Sequence, residues 1–128
     1  MRLLLDTHAY FWWETDDPKL SVPARDAIAA FESEVLISAV TAWELAFKGR
    51  FGKWPGAGEL ASDINAAMEA EKFLPLPISI DHARLAGAMP GAHRDPFDRL
   101  LAAQAKIENI PLVTADPAFR SLGIKIIW

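Results

Sequence analysis

Short, continuously apolar runs alternate along the chain with longer segments of helical period. Leu3-Leu4-Leu5, Val35-Leu36-Ile37-Ser38, Pro111-Leu112-Val113-Thr114 and Ile124-Lys125-Ile126-Ile127 are too short for helices and read as strands buried on both faces. Phe73-Leu74-Pro75-Leu76 is a fifth candidate, which its prolines confine to a sheet edge or a plain connector. Between them, residues 9–13, 23–31, 40–47, 58–71, 81–88 and 96–108 carry helical patterns. Strands alternating with helices imply crossover units. The expectation is therefore one α/β domain over residues 1–128, with a mostly parallel central sheet of four to five strands flanked by helices.

In such sheets ligands bind beyond the carboxyl ends of the strands, so the polar residues at those ends carry the functional question. Asp6 ends the first strand in LLLDTHA, and Asp116 follows the third clear strand in PLVTADPAF. Glu44 lies on the helix after the second strand, in ISAVTAWELAFKG, and Asp98 lies in the first turn of the helix that precedes PLVTAD. Each has an ordinary structural explanation. Asp6 or Thr7 caps a short helix, Thr41-Ala42-Trp43-Glu44 fits a capping box, and Asp116 before Pro117 caps a turn. Asp95 before Pro96 is an N-cap with proline at the first helical position, which puts Asp98 at the third.

Two considerations weigh against a purely structural role. Glu44 is embedded in Trp43, Leu45, Ala46 and Phe47, so its helix is apolar nearly all round, and a carboxylate there is costly unless paired or bound to a cation. Four acids at one sheet edge also repel one another unless a metal holds them ionised. Oxygen-only ligands suit Mg2+ or Mn2+.

Composition narrows the setting. At 128 residues, 52% hydrophobic and 23% charged, the chain has the make-up of a folded globular domain. No apolar run approaches the ~20 residues of a membrane span, and the opening MRLLLD reaches an acid too soon for a signal peptide. The absence of cysteine excludes disulfides and thiolate metal sites and makes a cytoplasmic address the default. A net charge of -4 argues against nucleic-acid binding by a broad basic surface, but not against phosphate binding through metal ions.

LLLDTHA, SAVTAWELAFKGRFGK, HRDPFDRLLAAQA and LVTADPAF, in that order, resemble the PIN-domain family and, more narrowly, the VapC-type toxins of bacterial toxin–antitoxin pairs. The resemblance covers essentially the whole chain. It implies a Mg2+- or Mn2+-dependent endoribonuclease whose acids fall on Asp6, Glu44, Asp98 and Asp116. Asp98 matches because it directly precedes Arg-Leu-Leu-Ala-Ala-Gln-Ala. Asp95 is not one of the shared acids; it is expected to start the helix that aims Asp98. Thr114 resembles a hydroxyl kept near the site in many members, and equally reads as an ordinary strand threonine.

Arg94, Arg99 and Lys48 are candidate phosphate contacts, with Arg50 and Lys53 extending the basic cluster. His8 and His93 lie near the acids without metal-ligand spacing. Five tryptophans exceed what a domain this size must bury. The adjacent Trp12 and Trp13 are not expected to share one core, and with Phe47, Phe51 and Trp54 they are candidate interface residues, whereas Trp43 and Trp128 read as core. The resemblance implies two protein partners, a cognate antitoxin and a second copy in a homodimer, in addition to the RNA substrate, and no membrane.

Alternatives remain. A PIN-like nuclease acting on structured DNA keeps the fold but usually carries insertions absent here. Aspartyl-phosphate chemistry at Asp6 lacks its second acid, because that position is His8. A non-catalytic binding module would use every acid as a cap.

Overall fold

Leu3, Leu4 and Leu5 have no solvent exposure, and the strand they form, β1 (Arg2–Leu5), lies at the centre of a five-stranded sheet. The computed structural model describes residues 1–91 and 95–128. Its elements run β1, α1 (Thr7–Glu14), α2 (Val22–Ala29), β2 (Glu34–Ser38), α3 (Ala39–Arg50), α4 (Ala57–Ser62), α5 (Ile64–Glu71), β3 (Leu74–Leu76), α6 (Ile80–Ala88), α7 (Pro96–Glu108), β4 (Leu112–Val113), a 3-10 helix (Pro117–Leu122) and β5 (Ile126–Ile127). The strand order is β3-β2-β1-β4-β5, and every pairing is parallel. The α/β architecture and mostly parallel sheet read from the sequence are present, with Leu74-Pro75-Leu76 as an edge strand beside β2, where Pro75 is tolerated.

Successive side chains of a strand point to opposite faces, and this divides the core in two. Leu3, Leu5, Val35, Ile37 and Val113 pack with α1, α2 and α5. Leu4, Leu36 and Leu112 pack with α7 and α6 on the other face. α3 serves both, with Leu45 in the first cluster and Val40 in the second. It also lies tightly on α4. A Cβ on Gly49 would stand 2.5 Å from the Gly58 backbone nitrogen, so glycine at position 49 permits the helices to touch.

Register fixes what lies at the carboxyl edge. Leu5 pairs with Ile37 on one side and Val113 on the other, so Asp6, Ser38 and Thr114 emerge side by side. The order in which successive strands are added reverses between β1 and β4, the switch point where open α/β sheets bind ligands.

Two expected elements differ. The helix expected over residues 40–47 runs from Ala39 to Arg50, because Ser38, the last strand residue, is its N-cap and accepts from Val40 N–H at 3.0 Å. Glu44 therefore lies in the second turn, and the capping-box reading of Thr41–Glu44 is overturned. The helix expected over 58–71 divides into α4 and α5 at Asp63, in a Ser-Asp-Ile-Asn stretch whose side chains compete with helix hydrogen bonding. No helix among the described residues is long and apolar enough to cross a membrane.

Candidate active site

Asp6 leaves β1 and immediately caps α1. Its Oδ1 accepts from the Ala9 N–H at 2.8 Å, and its own N–H donates to the Val113 carbonyl at 3.0 Å. Asp116, two residues beyond Thr114, caps the 3-10 helix by accepting from the Ala118 N–H at 2.9 Å. The Thr114 hydroxyl accepts from the Asp116 N–H at 3.1 Å and also hydrogen-bonds the Asp6 side chain. One fully buried threonine thus ties both acids to the end of β4. The capping and functional readings of these aspartates do not compete, since the cap fixes the carboxylate in place.

Burial pushes the Asp6 carboxyl up to about 6, helped by the charges of Glu44 and Asp116 and opposed by the hydrogen bonds from Thr114 and Ala9. Glu44 approaches from α3 and is 3% exposed. One of its oxygens pairs with Lys48, one helical turn on; the other, Oε1, is buried and has no hydrogen-bond partner among the described residues. Thr7 and Thr41 hydroxyls, 3.2 Å apart, hold α1 against α3 and so hold Asp6 relative to Glu44.

Asp95 caps α7, accepting from the N–H groups of Phe97 at 2.9 Å and Asp98 at 3.4 Å, with Pro96 as the first helical residue. Asp98 lies in the first turn, where the helix dipole favours an anion. Asp95 is close enough to the α1 side of the cleft to act on the His8 imidazole. Burial and Lys48 lower that imidazole's pKa, while Glu44 and Asp95 oppose them.

Other expected residues fall elsewhere. Arg99 donates from Nε to the Ala86 carbonyl at 2.8 Å and from Nη2 to the Met89 carbonyl at 2.5 Å, closing the C-terminal end of α6. These bonds give it a structural task at the end of α6. Arg94 and His93 lie outside the described residues. Lys53 and Arg50 are exposed.

The aromatic residues are also redistributed. Trp12 and Trp13 both pack, partly buried, against the same cluster, Trp12 beside Trp128 at 5.8 Å and Trp13 beside Phe73 at 6.1 Å. The expectation that they cannot share a core fails because indoles on either flank of α1 are long enough to reach it. Trp43 is 48% exposed instead of core, since α3 buries Val40, Thr41, Glu44 and Leu45 and Trp43 lies off that stripe. Phe47 and Phe51 pair edge-on at 5.0 Å on the surface, while Trp54 joins His8 and Phe11 instead.

The sequence reading missed Lys48 as the partner of Glu44; the i,i+4 spacing was its signal. It also missed Gln104. This fully buried side chain meets the Ser38 hydroxyl at 2.5 Å and donates to the Pro77 carbonyl at 3.2 Å, tying α7 to the cap of α3. A lone glutamine among alanines on an apolar stripe was the available clue.

Among the described residues, no three Asp, Glu, His or Cys side chains stand close enough together to hold a metal ion. The donor set still fits a hard cation: it is all oxygen, and it includes a buried Glu44 oxygen that no hydrogen bond among the described residues satisfies.

The PIN domain family model matches residues 3–125. Ribonuclease VapC22 of Mycobacterium tuberculosis (strain ATCC 25618 / H37Rv) is 31% identical over 120 residues, covering 93% of this chain and 90% of that protein. Among solved structures, VapBC2 from Rickettsia felis bound to a DNA fragment from the promoter matches with a TM-score of 0.72 and 18% identity, over 98% of this chain and 97% of that one. The sarcin–ricin loop cleaving toxin VapC20 of Mycobacterium tuberculosis matches with a TM-score of 0.69 and 15% identity, over 95% of each chain. These two likenesses concern the fold. From the family match and the sequence relative together, the chain belongs to the PIN-domain family, in its VapC-type branch.

Proposed function

We propose that this protein is a Mg2+- or Mn2+-dependent endoribonuclease, the toxin of a VapBC-type pair, acting in the cytoplasm. The observation that carries the reading is the buried Glu44 carboxylate, with one oxygen on Lys48 and the other unsatisfied among the described residues, close enough for its charge to act on Asp6. The ribonuclease name of the 31% identical relative supports the substrate class.

In this reading Asp6, Glu44, Asp98 and Asp116 hold one or two divalent ions. Such an ion, when bound, supplies a water of lowered pKa and offsets charge on the phosphate. The protein's own contribution is placement. The Ala9 and Ala118 N–H groups fix Asp6 and Asp116, and Thr114 ties both to β4. Asp95 sets the start of α7 and so the position of Asp98. Lys48 gives the acidic edge one cation that can meet a substrate phosphate after releasing Glu44 to metal.

Two protein partners complete the proposal. One is a cognate antitoxin, since VapBC and FitAB toxin–antitoxin complexes are among the structures of this fold. The other is a second copy of the chain. Exposed Trp43, Phe47 and Phe51 form an apolar patch suited to either.

The test is cleavage of single-stranded RNA with Mg2+ and with EDTA by the wild type and Asp98→Asn. Cleavage that needs Mg2+ and is lost in the variant supports the proposal. Equal cleavage by the variant removes Asp98, and cleavage in EDTA removes the metal.

A further inference from the structure

A row of rings starts beside the acids. His8 stacks on Trp54 with centroids 4.4 Å apart and planes 22° from parallel. His8 also meets Trp12 at 5.5 Å, tilted by 55°, and Trp12 meets Trp128 at 5.8 Å. Trp54 and Trp12 rest partly on the core, but His8 is exposed, and no hydrogen bond among the described residues holds it. His8 follows Asp6 by two residues on the first turn of α1 and feels the charge of Glu44, so the row begins beside the acids. Lys48 stands between the two features, paired with Glu44 and 5.7 Å from the Trp54 ring centroid.

We propose that Trp54, His8 and Trp12 are a stacking platform for unpaired nucleobases next to the scissile phosphate, with Lys48 meeting the backbone. The occupant follows from chemistry. A net charge of -4 gives the chain little overall attraction for a polyanion. Ring stacking is the source of affinity that does not require one, and every base offers a face to stack. A duplex hides those faces, so the platform selects single strands, loops or bulges. Near-parallel stacking of His8 on Trp54 is the arrangement an inserted or overlying base would extend. The proposal rests on the nuclease reading for its substrate class, and it adds where the bases lie.

The experiment compares two RNA strands of equal length, one carrying bases and one with abasic riboses, binding to the full chain in EDTA. Binding is read without cleavage, so a wrong nuclease assignment does not mask the result, and repulsion by the acids affects both strands alike. The wild type is expected to favour the base-bearing strand by about tenfold or more. Trp54→Leu is expected to bring that ratio close to one, and Trp54→Phe to keep most of it. If Trp54→Leu fails to fold, His8→Ala, at an exposed position, carries the test and lowers the ratio. Equal binding of both strands by the wild type overturns the proposal. So does a variant that weakens both strands equally, which would mark a structural role. Absence of a base preference combined with shielding of Trp54 fluorescence by a co-purifying protein would assign the surface to a protein partner and also overturn it.

Discussion

Glu44 gives one carboxylate oxygen to Lys48 on the same face of α3 and keeps the other buried with no hydrogen-bond partner among the described residues. A buried acid half satisfied in this way is expensive, and removing its one partner makes it more so. Lys48→Met should therefore lower the stability of the metal-free protein by about 1–3 kcal/mol. Millimolar Mg2+ should restore much of the loss. Thermal melting with and without Mg2+ checks this, and an equal deficit in both conditions would dissociate Glu44 from metal binding.

Asp6 predicts a pH dependence with a definite sign. Its carboxyl rises from 3.8 to about 6 on folding, chiefly through burial, so the folded chain holds the proton more tightly than the unfolded chain. Stability contributed by the protonated form is complete below about pH 4 and is lost as pH rises through 6. The full change is about 3 kcal/mol. Asp6→Asn should remove this fall while keeping the cap on α1, because asparagine caps as well as aspartate. Denaturant melts of the two proteins from pH 4 to 7.5, without divalent ions, measure it.

A second, partly buried carboxyl lies at the other end of α1. Glu14 is raised to about 7 by burial and by Glu71, and both its Oε1 and the Tyr10 hydroxyl beside it on α1 lack a hydrogen-bond partner. Above pH 7 the ionised Glu14 penalises the folded state, whereas near pH 4.5 it is largely protonated and does not. Glu14→Gln should raise the melting temperature by a few degrees at pH 8, about 1–2 kcal/mol after allowance for its partial exposure. The gain should shrink towards pH 4.5. A variant no more stable than the wild type at pH 8 would contradict the account.

Arg99 separates a structural from a substrate role. Its bonds to the Ala86 and Met89 carbonyls predict that Arg99→Lys costs about 1–2 kcal/mol of stability and leaves the KM for RNA nearly unchanged. A raised KM with unchanged stability would return Arg99 to the phosphate.

Much of this was legible before the structure. LLL followed by an acid identifies a doubly buried strand with a carboxylate at its carboxyl end, since few other roles suit both features. Asp95-Pro96 marks a helix start because cap and proline preferences coincide there. Legibility failed where one residue serves two elements. Ser38 closes β2 and caps α3, so the helix start was placed one residue late and a capping box ending at Glu44 stayed open as an alternative. It failed also where tertiary packing decides a side chain's surroundings. The exposure of Trp43, the attachment of Arg99 to α6 and the alignment of His8 with Trp54 depend on neighbours distant in sequence.

The central claim is that the acids at the carboxyl edge hold divalent metal for RNA hydrolysis, and Asp6 tests it most directly because asparagine preserves its cap. The measurement is the rate of RNA cleavage by folded wild type and folded Asp6→Asn across a Mg2+ titration with an EDTA control. The account predicts no cleavage in EDTA, a rate that rises with Mg2+, and a loss of at least about a hundredfold in the variant. Cleavage by the wild type in EDTA, or an Asp6→Asn rate equal to wild type, would contradict it.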